Sequence, residues 1–314
     1  MIIEQQKLEK KHDWSSSEIN RWADYIELLC IKEDTITESD IVEECLEGDF
    51  ENELARGERE HSLKMDSLYN KISDYFKILE SREYVCGEYY PFEVRNGDCL
   101  CYKGICDEKK KQYIFLLLCS SISLMASYHK YTDSFEKLCR LLMKELSPKG
   151  TTVELFGTSR ESELFTGTLR DRIKKLAKCL GTETTKRFDQ NAKFDSIFGG
   201  DGGIDIVAFT SIDEAGFVPF SFSQCTCSYD KWKEKQTSIG VEQWGAYIEL
   251  GVHYPQYMFV PFSCHNSQGK FCDETSIKTF LIDRLRIIKL IEKNRLEDDM
   301  LKEFYSFVDV NEIV

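Results

Sequence analysis

Residues 199–210 read GGDGGIDIVAFT, four glycines set around one aspartate and followed by a second, Asp205, at the head of an apolar run. Gly199, Gly200, Gly202 and Gly203 admit backbone angles that other residues resist, while Ile204, Ile206 and Val207 favour an extended strand. The pattern predicts a tight turn that delivers Asp205 onto a strand. Ile204 and Ile206 flank it, so alternation puts the carboxylate on the opposite face from both. A carboxylate placed there must find water, a hydrogen-bonding partner or a metal ion. Asp201 reads as a turn residue, with a second ion as its other use.

Other chemistries find less support. In a dinucleotide fold the glycines follow a strand and open a helix, whereas here they follow a polar segment and open a strand. The five histidines, His12, His61, His129, His253 and His265, show no zinc-hydrolase spacing. Ser223 lacks the G-x-S-x-G setting of a nucleophile elbow. Thirteen cysteines read as thiols of a reducing compartment. Cys99, Cys101 and Cys106 cluster as CLCYKGIC with Cys86 upstream, but without the paired CxxC knuckles that argue for structural zinc. Cys225 and Cys227 share one face of an apparent strand and read as packing.

The elements that must position Asp205 follow from periodicity. At 314 residues and 42% hydrophobic the chain can fill a sizeable core. Helical spacing covers residues 15–45, with a serine cap at 15–17 and a second start at TITESD, and again 61–79. Residues 83–102 read as a short connection or a small hairpin, with a turn signal at Asn96-Gly97. The apolar run 113–128 is too short and too serine-rich for a membrane span and predicts a buried helix. A helix over 131–147 carries Phe135, Leu138, Cys139, Leu142, Met143 and Leu146 on one face. Strands are expected over 151–157, 204–209, 217–228 and 256–264, a basic helix over 169–181, a short helix from YDKWKEKQ, and helices in the last 40 residues. The sum is α/β, with a largely helical N-terminal part.

The order of pieces, SFEKL with Phe135 and Glu136, then GGDGGID ending on Asp205, then FSQCTCS with Gln224, resembles the PD-(D/E)XK, or restriction-endonuclease-like, nuclease superfamily. Within it the chain is similar to the Mrr-like branch, where glutamine replaces the second acidic residue. The resemblance covers about residues 131–240 and implies a mixed central sheet flanked by helices. It also implies Mg²⁺, with Mn²⁺ as a substitute, because phosphodiester cleavage uses a hard cation that prefers carboxylate and carbonyl oxygens. By that resemblance Asp205, the Gln224 amide oxygen and the Cys225 backbone carbonyl hold the ion, and Glu136 completes the shell or orients a water. The pattern Q-x-K asks for a lysine at position 226, where this chain has Thr226. Lys231, Lys233 and Lys235 follow directly, and Lys235, with Lys231 on the same helix face, is the favoured replacement.

The formal net charge is −14. Residues 1–80 hold 21 acidic and 10 basic residues, a balance of −11, whereas residues 130–195 hold 14 basic and 10 acidic, a balance of +4. The basic helix Arg170, Arg172, Lys174, Lys175 and Lys178 is the expected phosphate contact. The resemblance implies an endonuclease acting on DNA, of bacterial restriction or antiphage defence, and the expected compartment is the cytoplasm. Residues 1–127 form a helical accessory region, 128–265 the nuclease core and 266–314 a C-terminal helical segment packed on it. The acidic region is expected to dock a helper protein, a sensor, ATPase or helicase. The competing expectation is a catalytically inactive nuclease-fold protein that binds a partner or nucleic acid as a scaffold.

Overall fold

The computed structural model describes residues 19–49, 58–124, 129–157, 162, 164–190, 202–294, 296 and 298–308. The expected cap at 15–17, His12 and residues 199–201 with Asp201 lie outside the described residues. In chain order the elements are α1 (Ile19–Glu33), β1 (Thr35–Thr37), α2 (Glu38–Asp49), α3 (Glu58–Cys86), β2 (Phe92–Arg95), β3 (Cys99–Tyr102) and α4 (Glu108–Ser120). There follow α5 (His129–Leu146), β4 (Thr152–Leu155), α6 (Leu169–Cys179), α7 (Lys186–Asp189), β5 (Ile206–Phe209) and β6 (Phe220–Cys225). The chain continues through α8 (Trp232–Lys235), α9 (Val241–Trp244), β7 (Gln256–Phe259), β8 (Phe280–Ile282), α10 (Arg284–Asn294) and α11 (Asp298–Tyr305).

Contacts divide the chain into two compact units: 1–128 with 262–272 and 297–314, and 129–261 with 273–296. The expected C-terminal segment 266–314 divides between the two, 273–296 falling in the second unit and the rest in the first. It is also not wholly helical, since β8 precedes α10.

In the first unit, helices surround a three-stranded antiparallel sheet in the order β1-β3-β2. The hairpin β2–β3 forms where Asn96-Gly97 predicts it. Both residues have positive φ, 55° and 81°, and the Asp98 N–H closes the turn on the Arg95 carbonyl. Helix α4 is buried from Gln112 to Ser120, with Asp107 capping its start by accepting from the Lys110 N–H. It stops short of the expected 128, passing into a 3₁₀ turn at Ile122–Leu124. No described helix is long and apolar enough to cross a membrane.

The second unit is an α/β fold around a five-stranded mixed sheet in the order β4-β5-β6-β7-β8. Pairs β4/β5 and β5/β6 are antiparallel, and β6/β7 and β7/β8 are parallel. All four residues of β5 are buried, which explains its continuous apolar run. One face packs Val207 and Phe222 with Ile173, Leu176, Phe156 and Trp244 in a single cluster. The other carries α5, whose Met143 sulfur accepts from Ser223 Oγ at 3.5 Å. Beside α5 lies α10, which Asp283 caps by accepting from the Arg286 N–H at 3.2 Å.

Candidate functional site

Asp205 stands one residue before β5 and is already locked into the ladder on both sides. Its N–H donates to the Ser223 carbonyl at 2.9 Å, and its own carbonyl accepts from the Phe156 N–H at 2.7 Å. Only 4% of it is exposed. The side chain meets β6, where Oδ2 accepts from Gln224 Nε2 at 2.6 Å and from the Cys225 backbone N–H at 2.6 Å. Gln224 Nε2 also lies 3.4 Å from the Cys225 carbonyl oxygen. The amide nitrogen thus sits between two oxygens that both accept, a carboxylate and a peptide carbonyl.

The resemblance has the Gln224 oxygen pointing with Asp205 at one ion. Here the nitrogen faces Asp205 and the oxygen turns away to Ser238 Oγ, 2.9 Å distant. The reason is electrostatic: a buried carboxylate needs donors, and the amide nitrogen is the donor at hand. Ser238 lies on the 3₁₀ turn Gln236–Ile239 that continues α8, and it also reaches the Gly203 carbonyl at 3.1 Å and the Lys235 carbonyl at 2.7 Å. This contact accounts for the last glycine of GGDGG. Gly203 has φ of 93°, and a Cβ there would stand 2.5 Å from the Ser238 Cβ. Only glycine lets the turn come so close.

Glu136 belongs to α5 and is half-buried. That helix covers the Ser223 and Cys225 face of β6, whereas Gln224 points to the other side. Glu136 and Asp205 nonetheless act on the same two thiols. Burial pushes the Cys139 thiol up, and burial with the Cys139 contact pushes Cys225 well up, the charges of Asp205 and Glu136 adding to both. These cysteines are inert packing residues.

The lysines are less convergent. Thr226, where the family pattern has lysine, is 5% exposed, and its N–H donates to the Phe259 carbonyl at 3.0 Å. Lys233 pairs with Asp273 at 3.0 Å. Lys231 is exposed and Lys235 half-buried, one helical turn apart, with the Lys235 N–H donating to the Lys231 carbonyl at 3.0 Å.

The basic helix α6 needs correction as a phosphate-contacting face. Arg172 is 3% exposed, its Nη1 donates to the Phe156 carbonyl at 2.7 Å and its guanidinium lies over the Phe156 ring. It is a buried strut. Arg170 stacks on Phe188 and Lys175 donates to Thr166 Oγ1 at 2.7 Å, which leaves Lys174 and Lys178 as the exposed cations of the five.

Among the described residues no three His, Cys, Asp or Glu side chains form a metal-binding group. The donor set at Asp205 is of another kind: one carboxylate, one amide and one backbone carbonyl. The carboxylate and the carbonyl present oxygens suited to a hard divalent cation that keeps several waters, and the amide, whose nitrogen faces them here, would add a third only by presenting its oxygen. A cleft of about 450 Å³ lies at the far end of β5 and β6, lined by Met143, Phe217, Phe220, Val252 and Tyr257, away from these groups. No family model matches the chain, and no characterised protein or solved structure is significantly similar to it.

Proposed function

We propose that the chain is a metal-dependent endonuclease that cleaves DNA phosphodiester bonds, the effector of a bacterial restriction or antiphage defence system. The observation that carries the reading is the meeting of Asp205, Gln224 and the Cys225 carbonyl on adjacent strands of a mixed, helix-flanked sheet. In this reading Asp205, the Gln224 amide and the Cys225 carbonyl hold Mg²⁺, for which Mn²⁺ substitutes. The bound ion supplies Lewis-acid polarisation of a phosphoryl oxygen and lowers the pKa of water.

The chain's own residues do the rest. Asp205 keeps its orientation because the strand ladder fixes its backbone and Cys225 N–H fixes its carboxylate. Glu136 is assigned the attacking water by the resemblance alone, because its helix covers the other face of β6. Lys235, or else Lys231, offsets the charge that develops on the phosphate. Lys174 and Lys178 contact the DNA backbone without reading its sequence. The acidic first unit docks a helper protein, a sensor, ATPase or helicase.

One observation favours a second reading, a catalytically inactive protein of the same fold that binds a partner or nucleic acid. It is Thr226, buried where the family pattern places its lysine. The deciding experiment incubates the purified chain with supercoiled plasmid, single-stranded DNA and RNA in Mg²⁺ or Mn²⁺, beside Asp205→Ala. Metal-dependent cutting of DNA that Asp205→Ala loses supports the nuclease. Folded, metal-binding protein that cuts nothing, alone or with the protein that co-purifies with it, favours the scaffold.

A further inference from the structure

Three acceptor oxygens surround Ser238 Oγ: the Lys235 carbonyl at 2.7 Å, Gln224 Oε1 at 2.9 Å and the Gly203 carbonyl at 3.1 Å. A hydroxyl carries one proton and so donates to one of them, leaving the others in contact with an oxygen lone pair. On the far side of the same amide, Nε2 faces Asp205 Oδ2 and the Cys225 carbonyl. On the Ser238 side one hydroxyl proton faces three acceptors, while on the Asp205 side the amide nitrogen faces two.

Turning the amide by 180° reverses this balance at no cost in shape, since its oxygen and nitrogen are nearly the same size. Nε2 then donates to Ser238 Oγ, which gives its own proton to Lys235 O. The oxygen comes to Asp205 and the Cys225 carbonyl, a meeting of three oxygens that a bound cation makes favourable. Ser238 suits both arrangements because a hydroxyl donates and accepts.

We infer that Ser238 is a positioning residue for metal binding, the pivot on which Gln224 rotates from capping Asp205 with its nitrogen to presenting its oxygen. The inference rests on the metal site of the proposed function and adds to it the residue that makes a neutral glutamine a competent ligand. It also gives the short turn after α8 a role that does not depend on its lysines.

The test is calorimetric titration of the full chain with MnCl₂, together with the Mn²⁺-induced rise in Tm, in a set of variants. Ser238→Ala removes the acceptor that the rotated amide needs, so Mn²⁺ binding weakens about tenfold. Ser238→Thr, which keeps the hydroxyl, restores it. In a Gln224→Glu background the ligand has an oxygen on either side and needs no rotation, so adding Ser238→Ala changes affinity less than about threefold. Circular dichroism checks that each variant folds, and Ser238→Cys replaces the alanine if that one does not. Unchanged affinity in Ser238→Ala, or equal weakening in both backgrounds, overturns the pivot while leaving the metal site standing. A native chain that binds no Mn²⁺ overturns both.

Discussion

Glu27 in the first unit and Asp205 in the second are both carboxylates withdrawn from water, 0% and 4% exposed, yet different kinds of donor hold them. Glu27 Oε1 forms an ion pair with Arg82 Nη1 at 2.9 Å and accepts from the hydroxyls of Tyr90 and Tyr113 at 2.9 and 2.8 Å. The same guanidinium reaches Asp24 at 2.7 Å, and Asp24 also accepts from Ser120. That cluster answers charge with fixed charge: Arg82 is 1% exposed and spans α1 and α3. On Asp205 Oδ2 an amide and a backbone N–H both donate. A guanidinium locked between two carboxylates leaves no position for a cation, whereas an amide can turn. On the proposed function, the contrast separates a cluster that specifies packing from one that exchanges its donor for an ion.

The largest expected effect breaks the first cluster. Arg82→Ala removes the guanidinium that pairs with two buried carboxylates, and breaking a buried ion pair from one side costs about 3–5 kcal/mol. Urea unfolding of the full chain reads it, and a loss under about 1 kcal/mol would mean that water enters and the cluster is not charge-locked. Asp205→Asn is expected to be far milder in stability. It keeps an acceptor for the Cys225 N–H and exchanges a charged hydrogen bond for a neutral one, a difference of about 1 kcal/mol. The Mn²⁺-induced rise in Tm, by contrast, should vanish. If Asp205→Asn unfolds the protein as Arg82→Ala does, the two clusters are alike and the metal reading loses its physical basis.

Both clusters were only partly legible in sequence. The period-3.6 and period-2 patterns place most helices and strands, and Asp205 is visible as a carboxylate between two isoleucines at the mouth of a glycine turn. Gln224 is visible only through the family resemblance. Ser238 was not visible, because nothing in KEKQTSIG marks which residue of a short irregular turn will approach Gly203. Its signal was indirect: a Gly at 203 that must admit a close neighbour. The cluster of Asp24, Glu27 and Arg82 joins residues about 60 positions apart, which no local pattern links. Arg172 is different, since its misreading was avoidable. In LRDRIKKLAKCL the buried stripe is Leu169, Ile173, Leu176, Ala177 and Leu180, and Arg172 lies three after Leu169 and four before Leu176, on that stripe. Counting every basic residue of the helix as solvent-facing ignored the spacing.

Helix α6 carries the finest form of the contrast, because fixed and free cations stand within one turn of each other. Arg172 holds the Phe156 carbonyl, and the Phe156 N–H in turn holds the Asp205 carbonyl, so its guanidinium braces the edge of the site through one residue. Arg172→Ala strands a buried carbonyl and should cost about 1–3 kcal/mol, visible in urea unfolding. Lys174→Ala and Lys178→Ala, both at exposed positions, should change stability by less than about 0.5 kcal/mol. On the proposed function their effect belongs to DNA: each should weaken binding of any duplex alike and lower the slope of log affinity against log salt by about 1. Fluorescence anisotropy over a salt series measures that slope. An unchanged slope in both lysine variants would move the DNA track off α6, and a changed slope in Arg172→Ala at full stability would return Arg172 to the surface role that its burial denies.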